Sequence, residues 1–337
     1  MKLKNINFGY VLGQSGIQGF FGEGDEYPHH KILTVLFGLF GFSFKGMTFV
    51  AKTTSLEPRI YPEKSQTALV DGYKLKKWFP KSIWFSLGSI IQGYVLNAMG
   101  IPSPGTIFLI SLNKWQKRTE PFQISFMPME VTLQGKIAEV KQFCEWMLYH
   151  LPPIKHAYGV QMNVSCPNTG HAQTEALEEW IALAKVFKIL MPDTPLIFKL
   201  DLTISPQVVS QLQKHCDAIC MGNTLAFGKL PEQVQWKKLF KKGSPLTRIF
   251  GESFQGGLSG MPLFPVLINW LQEMEHIDPT VVIIAGGGIM TKDDITTLSE
   301  FKCVKAVALG SVAIVRPWRL KGLIEYGNKI FSKNKIK

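Results

Sequence analysis

The sequence predicts a single eight-stranded (β/α) barrel spanning residues 1–337, and three observations predict it. Strand-like and helix-like segments alternate at a regular pace from about residue 120 onward, the pattern of βα units feeding one parallel sheet. The apolar strand set is large enough, and uniform enough in direction, to favour closure over an open doubly wound sheet. A further apolar run at residues 46–51 supplies an N-terminal strand for the same closure.

The elements follow in chain order. Residues 122–127 (FQISFM) are a short apolar strand, and residues 135–149 carry apolar side chains at helical spacing. Residues 157–162 are the next strand, followed by an acidic amphipathic helix over 174–190. The strand at 196–200 precedes a helix that starts at Ser205–Pro206, a hydroxyl cap followed by proline, and runs to about residue 216. Residues 217–221, 280–285 and 304–309 complete the strands, with a helix over 292–301 between the last two.

Residues 60–120 interrupt this rhythm, and an insertion is assigned to 60–96. It contains YKLKKWFPKSIWF (73–85), a basic segment interleaved with aromatics, then a β-like run leading to NAMGIPSPG (97–105). Pro80 breaks any long amphipathic helix, so the segment is expected to extend beside the mouth of the barrel with its aromatics packed inward, not to anchor a membrane.

Composition bounds the class. A chain that is 46% hydrophobic and 18% charged is an ordinary globule, and it has no run of about twenty apolar residues and no hydrophobic leader. The expectation is a cytoplasmic protein without integral membrane association. Five cysteines, odd in number and without a C-x-x-C pair, suggest no disulfide framework, zinc site or iron–sulfur ligation. His29 and His30 are adjacent with no acidic or thiol set to complete a site, so no metal is expected. The formal charge of +12 suits an anionic small ligand, a nucleic acid, an acidic surface or a solvated exterior, and does not choose among them.

The chemistry concentrates at NVSCPNTG (163–170). Cys166 lies at a strand-to-helix loop, where parallel barrels hold their reactive groups. A thiol there acts as base or nucleophile, and Asn163 and Asn168 offer amides to a planar, hydrogen-bonding ligand. Three glycine-bearing stretches, GGLSG (256–260), AGGGI (285–289) and LGS (309–311), read as loops that let backbone N–H groups approach a phosphate. Lys52 and Lys199 sit among apolar residues on strands, where an inward ammonium requires an anionic partner.

These motifs resemble, in order and over nearly the whole chain, those of the dihydroorotate dehydrogenases, the flavin mononucleotide (FMN) barrel enzymes of pyrimidine biosynthesis. AKTTSLEPR (51–59), NAMGIP, NVSCPNT, IFKL (197–200), GNT (222–224), GGLSG, AGGGI and LGS carry the likeness. Cys166 makes it more similar to the cytosolic class 1, which uses a cysteine base, than to the membrane class 2, which uses serine. The chain departs after Arg59, where the family usually continues Gly-Asn-Pro-x-Pro-Arg.

The resemblance implies oxidation of dihydroorotate to orotate, with Cys166 and Lys52 catalytic. It implies a substrate held by Lys52, Asn97, Met99, Gly100, Ile101, Asn163, Asn168, Asn223 and Thr224. It implies FMN held by the Gln14–Ser15–Gly16 loop, Lys52, Thr53, Asn163, Lys199, Gly257, Gly287, Gly288, Gly310 and Ser311. A homodimer, with or without an electron-transfer subunit, is the implied assembly, and nucleic acid is not an expected partner. Fumarate and an NAD-linked partner both remain open as electron acceptors. The competing readings are a dihydropyrimidine dehydrogenase, a non-catalytic flavoprotein subunit and a tRNA dihydrouridine synthase.

Overall fold

The computed structural model describes residues 1–23, 26–38, 41–59, 69–70, 72–77, 80–151, 157–164, 173–252 and 254–333. Seven parallel strands run around a curled sheet in the order Val11–Gly13, Val304–Leu309, Ile283–Gly286, Ala218–Met221, Leu196–Leu200, Tyr158–Asn163 and Phe122–Phe126. Residues 48–54 fill the gap between its two edges through isolated parallel bridges. Leu12 pairs with Thr48 on one side; Val50 pairs with Gln123 and Thr54 with Phe126 on the other. The N–H of Gly13 donates to Thr48 O at 2.9 Å and that of Ala51 to Gln123 O at 2.8 Å. The predicted strand at 46–51 is therefore an irregular eighth stave, displaced toward the site.

Period-two alternation divides the apolar residues into two cores. Leu12, Val50, Ile197, Ala218, Cys220, Ile284, Ala306 and Ala308 form the inner one. It is continuous with Met1, Leu3, Ile6 and Phe8, from the two-stranded antiparallel hairpin Lys2–Leu3 and Ile6–Asn7. Their neighbours, among them Val11, Phe122, Phe126, Val160, Phe198, Ile219 and Val307, belong to the outer core that also takes in the helices. One face of each strand thus fills the barrel and the other seats the helices.

Helix starts follow their caps. Thr132 caps Leu133–His150 by accepting from Gly135 N, Ser205 caps Pro206–Gln213, and Thr291 with Asp294 makes a capping box for Lys292–Glu300. Two long helices lie outside the sequence expectation. Phe264–Ile277 begins at Leu263 with no side-chain cap, and Leu320–Lys333 carries Gly322 and Gly327 within it. The usual start signal is missing from the first, and poor helix formers interrupt the second.

The main correction concerns excursions. Ile83–Trp84, Tyr94–Asn97, Gly257–Gly260 and Leu225–Ala226 pair antiparallel in a second sheet. GGLSG is mostly a strand there, not a loop closing a barrel unit, and residues 222–263 form a second break in the βα rhythm. The β-like run before Asn97 begins instead as a helix, Leu87–Gln92, stopped by Gly93 at φ 75°. In the 73–85 segment Tyr73 and Leu75 are buried, Leu75 N donates to Glu26 O at 2.9 Å, and Trp84 packs on Phe240. Trp78 and Phe79 lie outside the described residues.

Candidate active site

At the C-terminal ends of the staves, polar side chains replace the inner core. Thr53 Oγ1 lies 2.9 Å from Ser15 Oγ, 2.9 Å from Ser125 Oγ and 3.2 Å from Asn163 Nδ2. Asn163 Oδ1 in turn accepts from Asn223 Nδ2 at 3.1 Å, and Asn223 Oδ1 accepts from Thr224 N at 3.1 Å. One hydroxyl therefore ties the first stave, the 48–54 stave and the strands at 122–126 and 158–163 into a relay reaching the 222–224 loop. An amide with both ends committed has a fixed orientation, which is how a buried amide is made selective for a ligand edge.

Lys52 and Lys199 both point into the barrel. Lys199 stands opposite Asn163 on one side and Cys220 on the other; burial lowers its pKa, against an opposing effect of Cys220. Lys52 is only 6% exposed. Its Nζ donates to Pro102 O at 2.9 Å and lies 5.1 Å from the centre of the Phe20 ring. Burial lowers its pKa to about 7, and the charge of Glu26 opposes the fall. A lysine poised near neutrality beside aligned amides suits an anionic ligand that neutralises it on binding.

Pro102 is itself positioned by a clamp. Ser103 Oγ lies 2.7 Å from Thr54 Oγ1 and accepts from Gly105 N, Arg59 N and Ser103 O bond across the two segments, and Thr106 Oγ1 donates to Ser55 O. The 97–101 stretch enters the site from the second sheet, where Asn97 stands opposite Gly257. A Cβ on Gly257 would lie 2.4 Å from Thr224 Oγ1, so the second sheet brings Asn97, Gly257 and Thr224 to one edge of the mouth. Met99 and Ile101 are half-buried and Gly100 is exposed.

The glycines expected to cradle phosphate divide by physical reason. Gly288 is glycine because a Cβ would meet Gly260 O at 2.6 Å and Phe264 N at 2.8 Å, and Gly310 because Gln14 Cβ and Cγ lie 3.0 Å away. Gly287 is glycine for its φ of 126°, the place of a Cβ being in ordinary contact with Leu202 and Leu267. Gly16, φ 92°, sits against the Lys52 stem, and Ser311 precedes the short helix Val312–Val315.

Gln14 makes the most unusual contribution. Its side chain crosses the ends of three strands, where Gly222 and Gly286 leave room for its amide. A Cβ on either would stand 2.6 or 2.2 Å from Gln14 Nε2. Both amide atoms are buried and make no hydrogen bond of good geometry among the described residues, the Cys220 thiol being a polar neighbour within reach. Such a pair demands a ligand or water.

Cys166 and Asn168 lie outside the described residues. The remaining thiols, Cys144, Cys216, Cys220 and Cys303, are buried, and burial raises every one of them, Cys220 to about 11 and Cys144 and Cys303 to about 12. None is a base near neutral pH. The sequence reading missed Ser125, Glu26 and the side-chain role of Gln14. Ser125 had a signal, since Gln123 and Ser125 alternate within an otherwise apolar strand, as Gln161 and Asn163 do in the next.

A closed parallel barrel whose inner core gives way to polar side chains at its C-terminal mouth belongs to the class of (β/α) barrel enzymes, which hold their sites there. The family described as dihydroorotate dehydrogenase matches residues 86–311, and the chain belongs to that family of flavoenzymes, oxidoreductases acting on CH–CH bonds. It is a divergent member. It is similar to proteins named dihydroorotate dehydrogenase B (NAD(+)), catalytic subunit. With that of Latilactobacillus sakei it is 23% identical over 91% of this chain and 85% of the relative. With that of Geobacillus kaustophilus it is 23% identical over 89% and 80%. With that of Staphylococcus carnosus it is 24% identical over 68% and 70%. Among the described residues no helix is long and apolar enough to cross a membrane.

Proposed function

We propose that this chain oxidises dihydroorotate to orotate with FMN as its cofactor. The observation that carries the reading is the Thr53–Asn163–Asn223 relay beside Lys52. Orotate presents ring N–H and C=O groups together with a carboxylate, which oriented amides and an ammonium match. The residues fit the cofactor as well: the buried Gln14 amide, without a hydrogen bond of good geometry, suits the polar edge of a planar ring, and the Lys199 side chain inside the barrel suits an anionic group. Ser15, Gly16, Thr53, Gly257, Gly288, Gly310 and Ser311 would border the bound group.

Bound there, FMN would supply the hydride acceptor for oxidation of the substrate at C6. The chain's own part is to orient the ring through Asn97, Asn163, Asn168 and Asn223, hold the carboxylate, and remove the C5 proton. Cys166 is the base in this reading. It is the one cysteine of the NVSCPNTG motif, and burial raises the four described thiols. Loss of one proton and one hydride balances the formation of the C5–C6 double bond. We also infer that the electrons leave through a separate electron-transfer subunit, in keeping with relatives that are named as catalytic subunits of an NAD(+)-linked enzyme.

Anaerobic titration tests the reading. The purified protein should carry one FMN, and dihydroorotate should bleach it within the mixing time of a turnover experiment. A flavin that stays oxidised with dihydroorotate but bleaches with dihydrouracil would move the substrate to the uracil class.

A further inference from the structure

Glu26 is the most deeply buried carboxylate among the described residues, at 1% exposure, and the reaction as set out above does not use it. Its two oxygens accept the N–H groups of Phe20, Phe21 and Gly22, the last two at 2.7 and 2.9 Å. The turn it gathers has glycines at φ 75° and 72° at its ends. A Cβ at Gly19 would collide with Glu26 itself, and one at Gly22 with Phe49. Trp115 Nε1 donates to Phe20 O at 2.8 Å and Arg118 Nη1 to Phe21 O at 2.7 Å, so the turn is fixed from both sides.

Lys52 rests on this turn twice. Its backbone N–H donates to Gly19 O at 2.8 Å, and its ammonium lies over the ring of Phe20. We propose that Glu26 is a positioning residue for Lys52: by accepting the N–H groups of Phe20, Phe21 and Gly22 it holds the turn that seats the Lys52 backbone and ammonium.

The surroundings are consistent with this role. The charged and titratable groups around Glu26 are Lys52, Arg118, Tyr27 and Glu23. Arg118 is engaged with the Phe21 carbonyl and stacks over Phe49 at 4.2 Å, while Tyr27 donates to Gly16 O. Of the two cations, Lys52 is the one seated at the ligand-binding end of the barrel. Burial lowers the Lys52 pKa and the charge of Glu26 opposes the fall; Glu26 is itself raised to about 7 by burial, so that charge acts at and above neutral pH and not in acid. Glu26 thereby acts on ligand affinity without touching ligand.

The proposal rests on the reading of Lys52 as the cation that meets an anionic ligand, and one experiment separates the two. Orotate binding to the FMN-loaded protein is measured by calorimetry from pH 5.5 to 9 for the parent, Lys52→Met, Glu26→Gln and Phe20→Leu. The parent should lose affinity as pH rises through the Lys52 titration, and Lys52→Met should be weak and flat. A parent without that step would overturn the reading of Lys52 itself. Glu26→Gln should match the parent at pH 5.5 and bind roughly tenfold more weakly at pH 8, the consequence of about one unit of lowered lysine pKa. Phe20→Leu leaves Glu26 and its three N–H partners in place and removes the ring under the ammonium, so it should shift the step in the same direction. A parent step that Glu26→Gln leaves unmoved, or tighter binding by that variant at pH 8, overturns the positioning role. If Glu26→Gln does not fold by circular dichroism, Glu26→Asp takes its place: the shorter carboxylate cannot reach all three N–H groups, and a parental binding curve for that variant overturns the role.

Discussion

Asn163 Nδ2 donates to Thr53 Oγ1 at 3.2 Å, the far end of a chain whose direction is set by the Thr224 N–H, which can only donate and so orients the Asn223 amide and, through it, that of Asn163. With its nitrogen on Thr53, its oxygen is left for Asn223. Thr53→Val keeps the shape and removes the acceptor, so Asn163, Ser15 and Ser125 lose their common partner. An unsatisfied buried polar group costs about 1–3 kcal/mol, and orotate affinity should fall roughly 5- to 100-fold. Calorimetry on the FMN-loaded variant gives the answer, and unchanged affinity would show that Thr53 does not hold the amide in place.

Lys52 lowers the stability of the folded chain near neutral pH. Burial holds its pKa at about 7 in the fold against 10.5 in the ordinary state. Below pH 7 both states are charged and the fold bears the full cost of burying the ammonium. Between about 7 and 10.5 the unfolded chain binds the extra proton, so this contribution to stability rises with pH. Glu26 has the opposite slope at lower pH: raised from 4.5 to about 7, it makes stability fall as pH rises across that window. Lys52→Met should therefore melt higher than the parent at pH 6.5, by roughly 2–5 °C, with the gain vanishing toward pH 10. Thermal denaturation of the ligand-free proteins across that range would contradict this if the parent were the more stable at pH 6.5.

Much of the fold is visible in the sequence because a parallel barrel repeats one signal, an apolar run followed by a capped helix. Thr132, Ser205 and Thr291 announce their helices, and the strands at 122–126, 196–200 and 304–309 stand at their expected places. The signal fails where tertiary pairing decides. GGLSG has no strand propensity, yet Gly257–Gly260 forms a strand because Tyr94–Asn97 lies beside it and only hydrogen atoms fit at Gly257 and Gly260. For the site, the lysines and asparagines are legible as isolated polar residues on apolar strands. Glu26 and Gln14 are not, since each acts through a loop whose shape the local sequence does not encode.

Gln14 and Gly286 illustrate that coupling. A Cβ at Gly286 would stand 2.2 Å from Gln14 Nε2 and 3.1 Å from Met221 O. The amide sits at the end of a flexible side chain, so Gly286→Ala should displace Gln14 more than it disrupts the barrel. FMN affinity should fall about tenfold or more, the loss of one oriented hydrogen-bonding group, while the melting temperature of the ligand-free protein changes little. In a Gln14→Ala background the same substitution should cost far less FMN affinity. Equal losses in both backgrounds, read by fluorescence quenching on FMN titration, would place the clash elsewhere.

The sharpest test of the chemistry is Cys166→Ser. The four described thiols are excluded as bases by burial, which pushes each of them up. The proposed reaction therefore depends on a residue that only its motif marks. A serine hydroxyl titrates far above a thiol, and a general base contributes about 10²–10⁴-fold to rate. Cys166→Ser should retain FMN and orotate affinity, since serine keeps nearly the size of the thiol and can hydrogen-bond in its place. Its flavin should be reduced by dihydroorotate at least a hundredfold more slowly at pH 7.5, and part of that rate should return as pH rises. Stopped-flow bleaching under anaerobic conditions measures this directly, and reduction at the parental rate would make Cys166 a structural thiol.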